Sequence, residues 1–158
     1  LNGIISEISG IASAALKGIE YKIDIVDSAS YVSGDRSQLE QVVLNLIVNA
    51  AEAIKQCNTD TDIPGKITLK LEKIEKGEKP LNSATGHLWH ISISDTGPGI
   101  AKEHLESIFD PFFTTKKEGN GLGLAIVNTI ITRHEGLIEV QSEKGIGTIF
   151  HLYLPAIE

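Results

Sequence analysis

Two interleaved periodicities predict an α+β domain for this 158-residue chain: a two-layer α/β sandwich whose mixed, mostly antiparallel sheet is covered on one face by three helices. Apolar residues recur at helical spacing in three stretches and at every second position in several others. The last two alternating stretches, 137–142 and 148–154, flank Lys144-Gly145-Ile146-Gly147, a hairpin connection that makes neighbouring strands antiparallel.

Residues 1–17 carry Ile4, Ile5, Ile8, Ile11, Ala12, Ala15 and Leu16 at helical spacing, and Gly18 supplies a stop. Ile19 to Val26 alternates apolar with polar and predicts a strand, with a short partner strand near Tyr31 and Val32. Ser33-Gly34-Asp35 forms a turn whose aspartate caps a long helix reaching about Gln56. Leu39, Val42, Val43, Leu46, Ile47, Ala50, Ala53 and Ile54 make its apolar face. A polar loop follows over 58–64. Ile67, Leu69 and Leu71 then alternate with charged neighbours in a strand, and 77–86 reads as a mobile, turn-like connection. His87 to Asp95 predicts another strand, 101–107 a short helix and 121–134 the third long helix.

With 41% hydrophobic residues, a chain of this length builds a single core. No apolar run approaches a membrane span and no basic-then-apolar leader opens the chain, so a cytoplasmic location without direct membrane contact is expected. The lone cysteine, Cys57, excludes an internal disulfide and fits a reducing compartment. Fourteen basic against 21 acidic residues give a net charge of −7, which argues against a nucleic-acid partner. Because Leu1 already lies in a helical pattern, the chain reads as part of a longer protein.

Residues 109–124 are the most informative stretch. An aromatic, proline-anchored hook runs into Lys116 and Lys117, then into Gly119, Gly121 and Gly123, and a helical pattern begins at Leu124. That order suits a flap closing over a polyphosphate: glycines let backbone N–H groups approach oxygens, lysines supply counter-charge, and a helix offers its positive end. On the long helix, Asn45 and Asn49 are four apart and share a stripe with Gln38, Gln41 and Glu52 at the edge of the apolar face. Amide oxygens are hard, neutral ligands suited to magnesium; alone, such a pair more often caps or bridges helices, and the glycine motifs turn the balance to the ligand role.

Strand phase singles out two more residues. Trp89, Ile91 and Ile93 form the apolar set of their strand, and Asp95 shares their face, pointing under the helices. A carboxylate there needs hydrogen-bond donors. Thr96-Gly97-Pro98-Gly99-Ile100 turns away and leaves room for a flat ligand, and adenine N6 is a fitting donor where guanine presents an oxygen. Asp-Thr-Gly is also ordinary turn chemistry. Thr148 shares the face of Phe150, Leu152 and Leu154, where its hydroxyl either bridges Asp95, a water and a purine or serves only structure.

These motifs resemble a known family. Asn-Leu-x-x-Asn-Ala of 45–50, Asp-Thr-Gly-Pro-Gly-Ile of 95–100, Phe-Asp-Pro-Phe-Phe-Thr-Thr-Lys of 109–116 and Gly-x-Gly-Leu-Gly-Leu of 119–124 look like the N, first glycine, F and second glycine boxes of bacterial two-component sensor histidine kinases. In those proteins the boxes lie in the catalytic ATP-binding domain, a member of the Bergerat-fold ATPases. The Phe-Phe-Thr-Thr-Lys version looks most like the nitrogen-regulation group. Gly-Ile-Gly-Thr of 145–148 is similar to the closing segment, and the resemblance covers about 30–156.

The resemblance implies ATP and Mg2+ as cofactors. It makes Asn49 the metal ligand, Asn45 its partner in ordering metal and phosphates, and Asp95 the reader of the adenine amino group, with Ala53, Gly97, Gly99, Ile100 and Thr148 around the base. Phe109 to Lys116 begins an ATP lid spanning about 105–122, in which Thr115 and Lys116 or Lys117 approach the phosphates. Gly119, Gly121, Leu122, Gly123 and Leu124 wrap the triphosphate. Asn45, Asn49 and Lys116 are then the catalytic set. Residues 1–17 are either the first helix of the domain or the tail of the dimerisation hairpin, and 18–158 form the catalytic domain.

Two positions depart from the family pattern: Glu52 stands where many members carry a basic residue, and His134-Glu135-Gly136 replaces His-Gly-Gly. Asn45 also stands where hydrolysing relatives carry a glutamate base, and an amide cannot take that role near neutral pH. ATP is therefore expected to await another nucleophile, a histidine on a separate hairpin. None of His87, His90, His104, His134 or His151 has the acidic-then-proline setting of that acceptor. The expected partners are that dimerisation domain and a response regulator, with a monomeric fragment and a homodimeric parent. The rival readings are an anti-sigma-type Ser/Thr kinase, a hydrolysing ATPase and a non-catalytic nucleotide-sensing module.

Overall fold

A computed structural model of the chain describes residues 1–26, 30–57, 64–75, 87–117 and 119–157. Helix α1 spans Asn2–Ile11 and tightens into a 3-10 turn at Ala12–Ala14. The regular helix is thus shorter than the expected 1–17; turns over 15–18 follow and close at Gly18, whose φ of +80 glycine adopts without a Cβ penalty. Strand β1 (Glu20–Ile25), helix α2 (Arg36–Cys57), strand β2 (Lys66–Glu75), strand β3 (His87–Asp95), helix α3 (Gly123–Arg133), strand β4 (Leu137–Glu143) and strand β5 (Gly147–Pro155) follow. The expected loop over 58–64 and connection over 77–86 lie almost wholly outside the described residues. No helix among the described residues is long and apolar enough to cross a membrane.

The five strands are ordered β1-β2-β3-β5-β4. Pairing is antiparallel except between β1 and β2, which run parallel with Glu20 opposite Lys66. That exception corrects the expected partner strand near Tyr31 and Val32. A parallel pair needs a crossover, and α2, lying between β1 and β2 in the chain, provides it. Residues 30–32 instead form a strap: the Tyr31 carbonyl accepts hydrogen bonds from Trp89 Nε1 and Ile157 N, both at 3.1 Å. A second correction concerns 101–107, where only Lys102–His104 is helical, as a 3-10 turn, and further turns lead onward.

Helix α2 forms where its cap and its stripe require. Asp35 Oδ1 accepts from Ser37 N at 2.8 Å and from Gln38 N at 3.2 Å, satisfying two of the otherwise orphan donors of the first turn. Leu39, Val42, Val43, Leu46, Ile47, Ala50, Ala51 and Ile54 are buried against α1, α3 and the sheet. Ala53 is only half buried, so the apolar face passes through Ala51, and Ala53 turns toward the first glycine loop. The start of α2 is tied to the end of α3 by His134. Its Nε2 accepts from Asp35 N at 3.0 Å, so its Nδ1, 2.8 Å from the Ile130 carbonyl, carries the proton.

The first glycine loop is held just as closely. Gly145 N donates to the Pro98 carbonyl at 2.7 Å, and Gly99 sits at φ +69, where an added Cβ would lie 2.1 Å from the Glu143 carbonyl oxygen. Gly99→Ala combines a left-handed residue with a backbone collision, and is expected to destabilise the domain by about 2 to 4 kcal/mol. Denaturant unfolding checks this, and a loss below the resolution of the measurement would contradict the strain.

Candidate functional site

The residues of the candidate site come from two layers. In the sheet, Asp95 ends β3 opposite Thr148 at the start of β5, and both are buried, at 8% and 5% exposure. Asp95 Oδ1 accepts from Gly97 N at 2.8 Å, and the Thr148 N–H also reaches the carboxylate. Burial pushes the Asp95 carboxyl up from its ordinary 3.8, and those two N–H groups pull partly the other way. Among the described residues no cation pairs with it.

Ser142 fastens this corner. Its Oγ accepts from Ile100 N at 2.8 Å, donates to the Gly147 carbonyl at 2.9 Å and lies 2.9 Å from Thr148 Oγ1. With the Ser142 proton committed to Gly147, the Thr148 hydroxyl donates to Ser142. One serine thus joins the first glycine loop to the β4–β5 hairpin. The signal was available in strand phase, because Ser142 shares the inward face of Ile138 and Val140, yet the sequence reading missed it.

In the helical layer, Asn45, Asn49 and Ala53 lie at steps of four on one stripe of α2, all half buried. The stripe touches both glycine motifs. A Cβ added to Gly97 would lie 3.2 Å from Ala53 Cβ and 2.8 Å from Asp95 Oδ1. One added to Gly123, the first residue of α3, would lie 3.9 Å from Asn49 Nδ2. One end of the stripe therefore meets the carboxylate corner, and Asn49, one turn earlier, meets the N-terminus of α3. That helix start has no side-chain cap, so its first-turn N–H groups are available to an anion.

The hook touches both layers. Ile108 is buried, and Phe109 packs edge-on against Phe150 with ring centroids 6.5 Å apart, rooting the segment in the core. Phe112 N donates to the Gly121 carbonyl at 2.9 Å, closing the hook, while the Phe112 ring is 74% exposed. Gly121, at φ +69, passes so close that an added Cβ would sit 2.4 Å from the Phe112 carbonyl carbon. Thr114 Oγ1 accepts from Lys116 N at 3.0 Å. Lys116 Nζ then crosses to α2, donating to Asn49 Oδ1 at 3.1 Å and to Glu52 Oε2 at 2.5 Å.

Of the residues singled out from sequence, Asn49, Lys116 and Gly123 meet at one end, and Ala53, Asp95, Gly97 and Thr148 at the other. Ile100 and Gly99 hold the loop between the sheet and the hairpin. Leu122 and Leu124 flank the start of α3, and Leu124 packs on the core. Thr115, Lys117 and Gly119 are exposed. Of the two lysines, Lys116 is the one whose ammonium reaches α2.

Comparison with known proteins identifies the family. The family model described as histidine kinase-, DNA gyrase B-, and HSP90-like ATPase matches residues 34–158. The chain is 37% identical to the sensor histidine kinase ZraS of Escherichia coli (strain K12) over 157 residues, covering 98% of this chain and 30% of that protein. It is therefore less than a third as long as that relative. Among solved structures, mycobacterial sensor histidine kinase MprB superposes with a TM-score of 0.77 at 28% identity, over 98% of this chain and 93% of that one. Full-length ShkA in complex with AMPPNP superposes with a TM-score of 0.76 at 27% identity, over 98% of this chain and 29% of that one. With its motifs, fold and family match in agreement, the chain belongs to the histidine kinase-, DNA gyrase B- and HSP90-like ATPase family, as an ATP-binding catalytic domain of the sensor histidine kinase type.

Proposed function

We propose that the domain binds Mg-ATP along the α2 stripe and donates the γ-phosphate to a histidine on a separate dimerisation hairpin, for onward transfer to a response regulator. The observation that carries this reading is the pairing of an inward, uncompensated carboxylate with an anion-receptive helix start at opposite ends of one stripe. Asp95 accepts the adenine amino group, and Gly97, Gly99, Ile100, Ala53 and Thr148 shape the base pocket. The α3 N-terminus, with Gly121, Leu122, Gly123 and Leu124, receives the phosphates. Lys116 supplies counter-charge, and Phe109 roots the lid. AMPPNP bound in ShkA supports the choice of nucleotide.

The residues present fit a magnesium ion. Asn49 Oδ1 already accepts a cationic group, the Lys116 ammonium, and Asn45 stands one turn away as a second hard amide donor. When bound, magnesium neutralises phosphate charge and fixes phosphate geometry. The protein's own part is positioning. Asn45 offers no base to activate water, so ATP is held for the incoming imidazole rather than spent on hydrolysis. Burial of Ile4, Ile5 and Ile8 in the common core supports reading 1–17 as the first helix of the domain rather than a hairpin tail.

Incubating the domain with γ-labelled ATP and a separately made histidine hairpin tests the reaction. Acid-labile, alkali-stable label on the hairpin is expected. Tight ATP binding with no transfer would leave a nucleotide-sensing module, and acid-stable label would point to a hydroxyl acceptor.

A further inference from the structure

Glu52, one of the two positions that depart from the family pattern, is engaged by the lid. Lys116 Nζ bridges Glu52 Oε2 at 2.5 Å and Asn49 Oδ1 at 3.1 Å, and among the described residues these are the hydrogen bonds that join the lid to α2. Glu52 lies one turn beyond Asn49, so both acceptors face the same ammonium. The pair is partly shielded, with Lys116 at 27% and Glu52 at 51% side-chain exposure.

We infer that Glu52 is a positioning residue that parks the lid lysine on α2, so that uptake of Mg-nucleotide exchanges the Lys116–Glu52 pair for a Lys116–phosphate pair. This rests on the nucleotide reading above and adds to it a determinant of affinity. The physical reason is a competition for one oxygen. Asn49 Oδ1, the proposed metal ligand, already accepts from an ammonium, and a second cation brought to the same oxygen is repelled by it. A metal ion at Asn49 would favour the departure of Lys116, and Glu52 opposes that departure. Glu52 also keeps the lysine close to where the phosphates arrive, so the exchange is short.

Nucleotide titrations on wild type, Glu52→Gln, Lys116→Ala and the double variant decide the matter. Glu52→Gln is expected to tighten Mg-ATP binding about threefold to tenfold, the span usual for coupled contacting charges. In the Lys116→Ala background the same change is expected to have less than about a twofold effect, because no lysine is left to release. An equal gain in both backgrounds would assign Glu52 to simple repulsion of the phosphates and overturn the parking role. No gain in either background would overturn it as well. A second readout needs no ligand: amide exchange across 112–121 is expected to quicken severalfold in Glu52→Gln, and unchanged exchange counts against the latch. Absence of ATP binding by the wild type would instead refute the nucleotide reading itself.

Discussion

Asp95→Asn is expected to lower ATP affinity by at least about a hundredfold, or ~3 kcal/mol, while the domain stays folded. The carboxylate accepts from Gly97 N at 2.8 Å and from the Thr148 N–H, and its remaining acceptor capacity faces the proposed adenine amino group. An asparagine retains one acceptor oxygen for the loop but presents an NH2 group in place of the second. A donor then meets a donor in a buried place, where no water relieves the mismatch. Titration with a fluorescent ATP analogue measures the loss, and unchanged affinity would sink the adenine role.

The same substitution has a pH signature in stability. Burial raises the folded Asp95 value above 3.8, so just above that pH the folded state holds a proton that the unfolded chain releases. Wild-type stability therefore declines as pH rises from 3.8 to the raised value, and Asp95→Asn lacks that decline. Nucleotide affinity runs in the opposite sense, weakening as acid protonates the acceptor. Denaturant unfolding of both proteins across the window reads the difference, and parallel profiles would contradict it.

Asn49→Ala carries the second large effect. Mg-ATP affinity is expected to fall about tenfold to a hundredfold, while affinity measured in a chelator stays near the wild-type value. Asn49 Oδ1 is one of two acceptors for Lys116, and Glu52 retains the other, so the lid keeps an anchor in the variant. Comparing each protein with and without metal separates the lost ligand from any shift of the lid. Equal stimulation by magnesium in both proteins would remove Asn49 from the metal site.

How legible these groups were depended on the range over which their causes act. The 87–95 strand and the inward turn of Asp95 follow from period two, a property of the backbone pleat. The start of α2 follows from Asp35, two and three residues from the N–H groups it caps. Ser142 was equally readable by phase but was passed over beside the glycines around it. The strap at Tyr31 was not readable, because its partners, Trp89 and Ile157, are fixed only when the sheet closes. Nor was it readable that Lys116, and not Lys117, reaches Asn49 and Glu52, since adjacent lysines look alike until the Phe112–Gly121 bond sets the hook.

The amino-acid sequence by itself determined the fold class, the family and the two glycine motifs, because periodicity, capping and turn chemistry are written within a few residues. Tertiary structure alone decided that β1 pairs parallel with β2, that Ser142 ties the first glycine loop to the β4–β5 hairpin, and that Glu52 meets Lys116. Each of those pairings joins residues far apart in the chain. Loop closure and the burial of a shared core select such partners, and neither is visible in any local window.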